Sequence, residues 1–246
     1  MEIGSDNHKQ INILVNLNIH VILVPQGVEY QAVCRGVSCI TAPKPLVVPI
    51  PIGVEPLTKY LETWQHAGGL LNYPQPQVLL MGLCGSLSPN YAVGDMVIYQ
   101  NCVYKSNTSQ PELRSCDREL TTKLHHTLKE RATLVQGLTS DRLIWSADEK
   151  RQLGQIYNAD VVDMEGFAAL KVLNQAGVAV AMLRVVSDGC DRDLPNLTSA
   201  FSSTGTLQPL PLAIGMIRQP LAATRLIQGS LKGLKVLQKV IEFLYN

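Results

Sequence analysis

No two of the six cysteines, at 34, 39, 84, 102, 116 and 190, form a Cys-x-x-Cys, and none stands at metal-ligand spacing from a histidine. That absence argues against a zinc site and a disulfide scaffold, and makes a reducing cytoplasm the expected compartment. Net charge is almost absent too. Twenty-one basic and 20 acidic residues leave +1, so no global charge calls for nucleic acid or an anionic surface. Apolar runs long enough for a bilayer are missing. Residues 11–25 come nearest, but Asn12, Asn16, Asn18 and His20 interrupt them, and no charged leader with a clear cleavage site accompanies them. Repeats, low-complexity segments and composition breaks are also lacking. The 246 residues, 46% hydrophobic, are therefore expected to form one domain (1–246) with a substantial core, frayed over the polar residues 1–10.

What is present is a series of short apolar runs, each followed by a turn and a helical pattern. His20–Val24 reads as a strand ended by Pro25-Gln26-Gly27, and a helix carrying Glu29 follows. Prolines at 43, 45, 49 and 51 make the next stretch an edge strand or an extended ligand-side segment, not a central strand. Residues 55–66 read as a helix. Residues 77–81 form a continuous apolar strand that opens into a small-residue loop, Gly82-Leu83-Cys84-Gly85-Ser86-Leu87, and Val93-Gly94-Asp95 turns into another strand. Residues 105–117 look like a loop. A helix is expected over 118–131, a strand over 133–138, a capping box at Ser146–Glu149 and a buried strand over 178–186. This alternation implies an α/β fold: a three-layer α/β/α sandwich with a central mixed sheet.

The chain is organised around residues 161–170, VVDMEGFAAL, a short strand running directly into a helix that Gly177 ends. Two carboxylates, Asp163 and Glu165, flank Met164 at the join. Glu165 near a helix N-terminus is expected to be held ionised by backbone N–H groups, and a carboxylate can accept two neighbouring hydroxyls, such as a ribose 2′,3′-diol. A solvated first-turn glutamate beside a capping aspartate explains the same residues equally simply. Glu29 and Asp188 both follow apolar strands, at the edge where open α/β sheets bind ligands, though each alone also reads as an ordinary helix-start acid or cap.

Taken together, the Met164-Glu165 pair, the Gly82–Leu87 loop with Val93-Gly94-Asp95, and Arg184-Val185-Val186-Ser187-Asp188 resemble the nucleoside phosphorylase and nucleosidase superfamily, which includes the methylthioadenosine/S-adenosylhomocysteine nucleosidases. From Arg184 onward, Asp191-Arg192-Asp193-Leu194-Pro195 and Arg218-Gln219-Pro220 resemble the hopanoid-associated phosphorylases. The resemblance implies cleavage of a purine–ribose bond. Asp188 would protonate the base, Glu165 would hold the diol and Glu29 would position the attacking water. Gly82, Leu83, Cys84, Gly85, Asp163, Met164 and Ser187 would line the nucleoside site, and Leu143 and Ile144, with Trp145 beside them, would cover the purine. No metal and no organic cofactor are implied; phosphate enters only as co-substrate of a phosphorylase. The expected partners are a small-molecule nucleoside and further copies of the chain.

Two choices stay open at this stage. The bacterial phosphorylases carry an arginine just before the glycine loop, whereas Leu80 and Met81 stand here, which favours water over phosphate, with Arg35 and Arg142 as other phosphate ligands. The 5′ group is either methylthio-like or a long apolar tail such as that of adenosyl-hopane. The terminal helix from Pro220 is expected to place Leu226, Ile227, Leu231, Leu234, Leu237, Ile241 and Leu244 on one face and Arg225, Lys232, Lys235 and Lys239 on the other. Such a face packs on a core or lies on a membrane surface. A non-catalytic nucleoside-binding protein is the rival from another class.

Overall fold

The computed structural model describes residues 17–41, 43–70, 73–106, 110–197 and 208–245; the fraying expected of residues 1–10 lies outside them. In chain order the elements are β1 Val21–Pro25, α1 Val28–Ser38, β2 Leu46–Ile50, α2 Val54–His66, β3 Gln77–Ser86, β4 Met96–Tyr104, β5 Glu112–Ser115, α3 Arg118–Leu128, β6 Ala132–Thr139, α4 Ala147–Tyr157, β7 Val161–Asp163, α5 Gly166–Gln175, β8 Ala179–Asp188, α6 Pro209–Arg218 and α7 Pro220–Tyr245.

Alternation along the central strands builds two apolar layers. Val21, Leu23, Val78, Leu80, Val180 and Met182 pack with Leu57 and Leu61 of α2 and with Phe167, Leu170 and Leu173 of α5. Their neighbours Ile22, Val24, Leu79, Met81, Ala181 and Leu183 pack with α1, α3 and α7. The sheet is mixed, in the order β2-β1-β3-β7-β6-β4-β5, with β8 pairing both β3 and β4. Strands β3, β7, β6, β4 and β8 therefore close a ring, and β1 and β2 extend it on one side. The proline-bearing β2 is an edge strand, one of the two forms that its sequence predicts.

Three segments differ from expectation. The glycine-rich stretch is strand, not loop: β3 continues through Ser86, with a register shift at Cys84/Gly85 where it pairs β8. Its glycines serve close approach of side chains, not a turn. Residues 112–115, expected as loop, form β5 against β4. In α7 the buried residues are Ala222, Ala223, Gly229, Gly233, Leu237, Val240, Ile241 and Leu244, whereas Ile227 and Leu231 face outward, 48% and 54% exposed. The helix passes too close to the sheet for large side chains there. A Cβ on Gly229 would overlap the Ser187 carbonyl oxygen, and one on Gly233 would lie 2.8 Å from Leu83 Cδ2. Periodicity sees hydrophobicity and not the approach distance, so it placed the stripe on the leucines instead of the glycines. Among the described residues no helix is long and apolar enough to cross a membrane.

Candidate active site

The carboxyl ends of β1, β3, β7 and β8 converge on a cleft of about 210 Å³. Its wall brings together Glu29, Leu83, Cys84, Gly85, Leu143, Ile144, Asp163, Met164, Glu165, Ser187 and Asp188, residues spread over 160 positions of sequence. Of the expected set only Gly82 is not on the wall. It lies beneath, where an added Cβ would strike Arg184 Nη1 and come within 2.7 Å of Glu29 Oε2. Its lack of a side chain is what leaves room for both groups beside the strand. Trp145 is also off the wall; its carbonyl accepts a hydrogen bond from Leu194 N at 2.9 Å. Pro25, Ile52, Arg142, Val162 and Leu226 complete the lining.

At one end of the cleft lies a buried charge network. Arg184, with no exposed side-chain surface, donates from Nη2 to Asp163 Oδ2 at 2.8 Å and to Glu165 Oε2 at 3.3 Å. Asp163 Oδ1 accepts from Thr139 Oγ1 at 2.7 Å and from Gly166 N at 3.1 Å. Both Asp163 oxygens are thus committed within the protein. Asp163 caps α5 and orients Arg184, so the capping reading of this residue holds alongside its place on the wall.

Glu165 is the N-cap residue of α5, but its side chain makes no cap hydrogen bond. Helix N–H groups therefore do not hold its charge, contrary to expectation. Its partners are Arg184 and, at 3.4 Å, Gly53 N. Burial pushes the Glu165 carboxyl up to about 8, against the pull of Arg184, with Asp163 and Glu29 adding to the rise. Glu29 Oε2 accepts from Leu83 N at 2.7 Å, and burial raises this carboxyl as well, again opposed by Arg184. Arg184 Nε and Nη1 are buried with no hydrogen-bond partner among the described residues.

The other end holds Asp188. Its Oδ1 receives Ser187 Oγ at 2.6 Å, and Ser187 Oγ also lies 3.2 Å from the Cys84 carbonyl oxygen. Its Oδ2 receives the ammonium of Lys150, which also donates to the Gly189 carbonyl at 2.9 Å. Lys150 is completely buried. Cys84 is no activated nucleophile: burial drives its thiol well above its ordinary value. Among the described residues no group of three or more His, Cys, Asp or Glu is placed to hold a metal ion.

Sequence reasoning gave no role to Arg184, Lys150 or Thr139. Arg184 stood in view as a charge inside an apolar strand. Lys150 shares the buried side of α4 with Ala147, an apolar position three residues earlier. Such a lysine signals a buried partner, which only the fold identifies.

The family profile described as the phosphorylase superfamily matches residues 70–206, more than half of the chain. The chain belongs to that superfamily, and it is an enzyme of this class. No curated protein sequence matches it. Among solved structures it resembles the futalosine hydrolase of Helicobacter pylori, at 15% identity and TM-score 0.68 over 91% of this chain and 95% of that one. It also resembles the Helicobacter pylori 5′-methylthioadenosine/S-adenosylhomocysteine nucleosidase in complex with butyl-thio-DADMe-Immucillin-A, at 15% identity and TM-score 0.67 over 91% and 96%. A mutant of that nucleosidase with 5′-methylthioadenosine in its active site superposes at 16% identity and TM-score 0.66, over 91% and 96%.

Proposed function

We propose that the protein hydrolyses the N-glycosidic bond of an adenine nucleoside with an apolar 5′ substituent. The observation that carries this reading is the charge balance at the Glu29 end of the cleft. Glu29, Asp163 and Glu165 surround a single cation, Arg184, which already bridges two of them. With Glu165 ionised to hold the diol, a phosphate dianion would meet an excess of carboxylate there. Of the two other candidate phosphate ligands, Arg142 is on the cleft wall but paired with Glu149, and Arg35 lies on the exposed side of α1, 3.3 Å from Gln238 Oε1.

Water suits the same place. Held between Glu29 and the unpartnered Nη1 of Arg184, it attacks C1′ as Glu29 takes its proton. Electrons of the C1′–N9 bond pass to the purine, and Asp188 supplies a proton at N7 so that the base leaves neutral. Glu165 accepts the 2′- and 3′-hydroxyls. The raised Glu29 carboxyl is a better base than an exposed glutamate.

The walls away from the carboxylates include Pro25, Ile52 and Leu226, which suit an apolar 5′ group. Leu226 lies on α7 between Leu221 and Ile227, which are 78% and 48% exposed. Arg218 and Arg225 are exposed on the two terminal helices. Exposed apolar and basic side chains near Leu226 favour a second reading, a long-tailed adenosine such as adenosyl-hopane taken up at a membrane surface. One assay separates the readings: release of adenine from adenosine, methylthioadenosine and longer 5′-alkylthio analogues, with and without phosphate. Release independent of phosphate and highest near methylthio is expected, each buried CH₂ up to that point contributing about 0.8 kcal/mol. A rate that keeps rising with chain length supports the long-tailed substrate. An absolute requirement for phosphate sinks the hydrolytic mechanism.

A pH prediction follows from Glu165. Near neutrality its raised carboxyl is largely protonated, yet the diol grip needs it ionised. Nucleoside binding should therefore release a proton and tighten as pH rises toward 8, by up to about tenfold per unit, then level off. The same burial makes the carboxylate cost stability between its ordinary value of 4.5 and about 8, so Glu165→Gln should be at least as stable as wild type at pH 8. Titration calorimetry with a slowly cleaved nucleoside in two buffers of different ionisation heat reads the proton. Affinity that is flat from pH 6 to 8 would contradict the assignment.

A further inference from the structure

We infer that Lys150 is the positioning residue of the proton donor, holding the Asp188 carboxyl in register with the part of the cleft that covers the base. The inference rests on the reading above, in which Asp188 protonates the purine.

Helix α4 is fastened to the chain after β8 at three points. Lys150 donates to Asp188 Oδ2 and to the Gly189 carbonyl, Asp193 Oδ1 accepts from Ala147 N at 2.8 Å, and Arg151 donates to the Cys190 carbonyl. Leu143 and Ile144 of the cleft wall lie four and three residues before the start of α4. A purine between them and Asp188 is therefore bounded by two segments whose separation α4 sets, and Lys150 is the member of that clamp that grips the carboxyl itself.

Lys150 does not line the cleft, so it acts through Asp188 and not on the substrate. Ser187 and Lys150 each occupy one oxygen of the carboxyl from the protein side. A carboxyl group has about four lone-pair sites, so one remains free to carry the proton that passes to the base. Two anchors stop rotation about the terminal torsion, which is otherwise broad for aspartate. Stability gives a poor account of the pair. Burying an ammonium and a carboxylate costs several kcal/mol per ion, and an apolar pair of the same volume is often as stable. A fixed acid geometry does account for it, since small displacements of an acid or base lower rates steeply.

The test compares wild type with Lys150→Met, which keeps the volume, and Lys150→Ala, which leaves room for an added amine. For Lys150→Met the expected result is a kcat for adenine release lower by about 10²-fold with nucleoside affinity within threefold, because an anchored acid contributes to the transition state and not to ground-state binding. In Lys150→Ala, methylammonium or ethylammonium should restore at least tenfold of the lost kcat in a saturable manner, while tetramethylammonium, which has charge but no N–H, should not. A merely structural lysine would not show that selectivity. The inference is overturned if either variant keeps the wild-type kcat. It is also overturned if kcat, affinity and thermal midpoint fall together in both variants and no amine restores activity. Failure of the hydrolase reading looks different: the wild type itself would release no base from purine nucleosides.

Discussion

Replacing Arg184 by methionine is expected to cost about 3–5 kcal/mol of folding stability at neutral pH, the usual result of removing one partner from a buried charge cluster. Arg184 has no exposed side-chain surface, and its guanidinium is the cation between Asp163 and Glu165. It is also the leading influence that lowers the buried carboxyls of Glu29 and Glu165. Without it both carboxyls rise further. A carboxyl raised in the folded state keeps protons that the unfolded chain has released, so its burden on stability grows as pH rises from the unfolded value. The deficit of Arg184→Met should therefore be larger at pH 8 than at pH 5.5. Adding Asp163→Asn should recover part of it, because the two sites share one network. Urea unfolding at both pH values reads this directly. A deficit below about 1 kcal/mol at pH 8, or one that grows toward low pH, would show that the cluster is not held together by this charge.

The parts of the site legible in the sequence are those fixed by chain direction. A parallel strand followed by a turn and helix puts its next residues at the ligand edge, whichever neighbours it pairs with. Glu29, Glu165 and Asp188 could each be placed there from local pattern, and all three line one cleft. What local pattern could not supply was the partner of each carboxylate. Glu165 sits at a helix start, where N–H groups are the default partners. Its actual partners, Arg184 and Gly53, arrive from β8 and from the turn before α2. The Lys150–Asp188 pair spans 38 positions and joins a helix to the end of a strand.

Close approach was the other hidden quantity. Gly82 reads as part of a small-residue loop, and Gly229 and Gly233 lie outside the apolar stripe expected of the terminal helix. In the fold they are contact points: Gly82 against Arg184 and Glu29, Gly229 against the Ser187 carbonyl and Gly233 against Leu83. These contacts bring α7 down onto the end of β8, and so bring Leu226 into the cleft. The apolar pattern of α7 was read correctly as amphipathic, but its buried side follows Ala222, Gly229 and Gly233 as far as Leu237, and only the last two turns bury large side chains.

The largest effect on chemistry is expected from Asp188→Asn. The amide keeps the size of the carboxyl and one acceptor for Lys150, but it has no acidic proton to give. If Asp188 protonates the departing base, kcat for adenine release should fall by about 10³-fold, within the range that a general acid contributes. Nucleoside affinity should stay within about threefold, because Glu165, Met164, Leu143 and Ile144 are untouched. Neutralising Asp188 also leaves the buried Lys150 ammonium without a counter-charge. A loss of stability is therefore expected beside the loss of rate, and the rate must be measured well below the thermal midpoint of the variant. The double variant Lys150→Met/Asp188→Asn should regain stability without regaining rate. That combination distinguishes a missing proton from a damaged fold. Asp188→Asn retaining more than a tenth of wild-type kcat would place the proton donor elsewhere. Wild-type protein that binds purine nucleosides tightly but releases base from none of them would make this cleft a binding site, with the Lys150–Asp188 pair serving recognition and not catalysis.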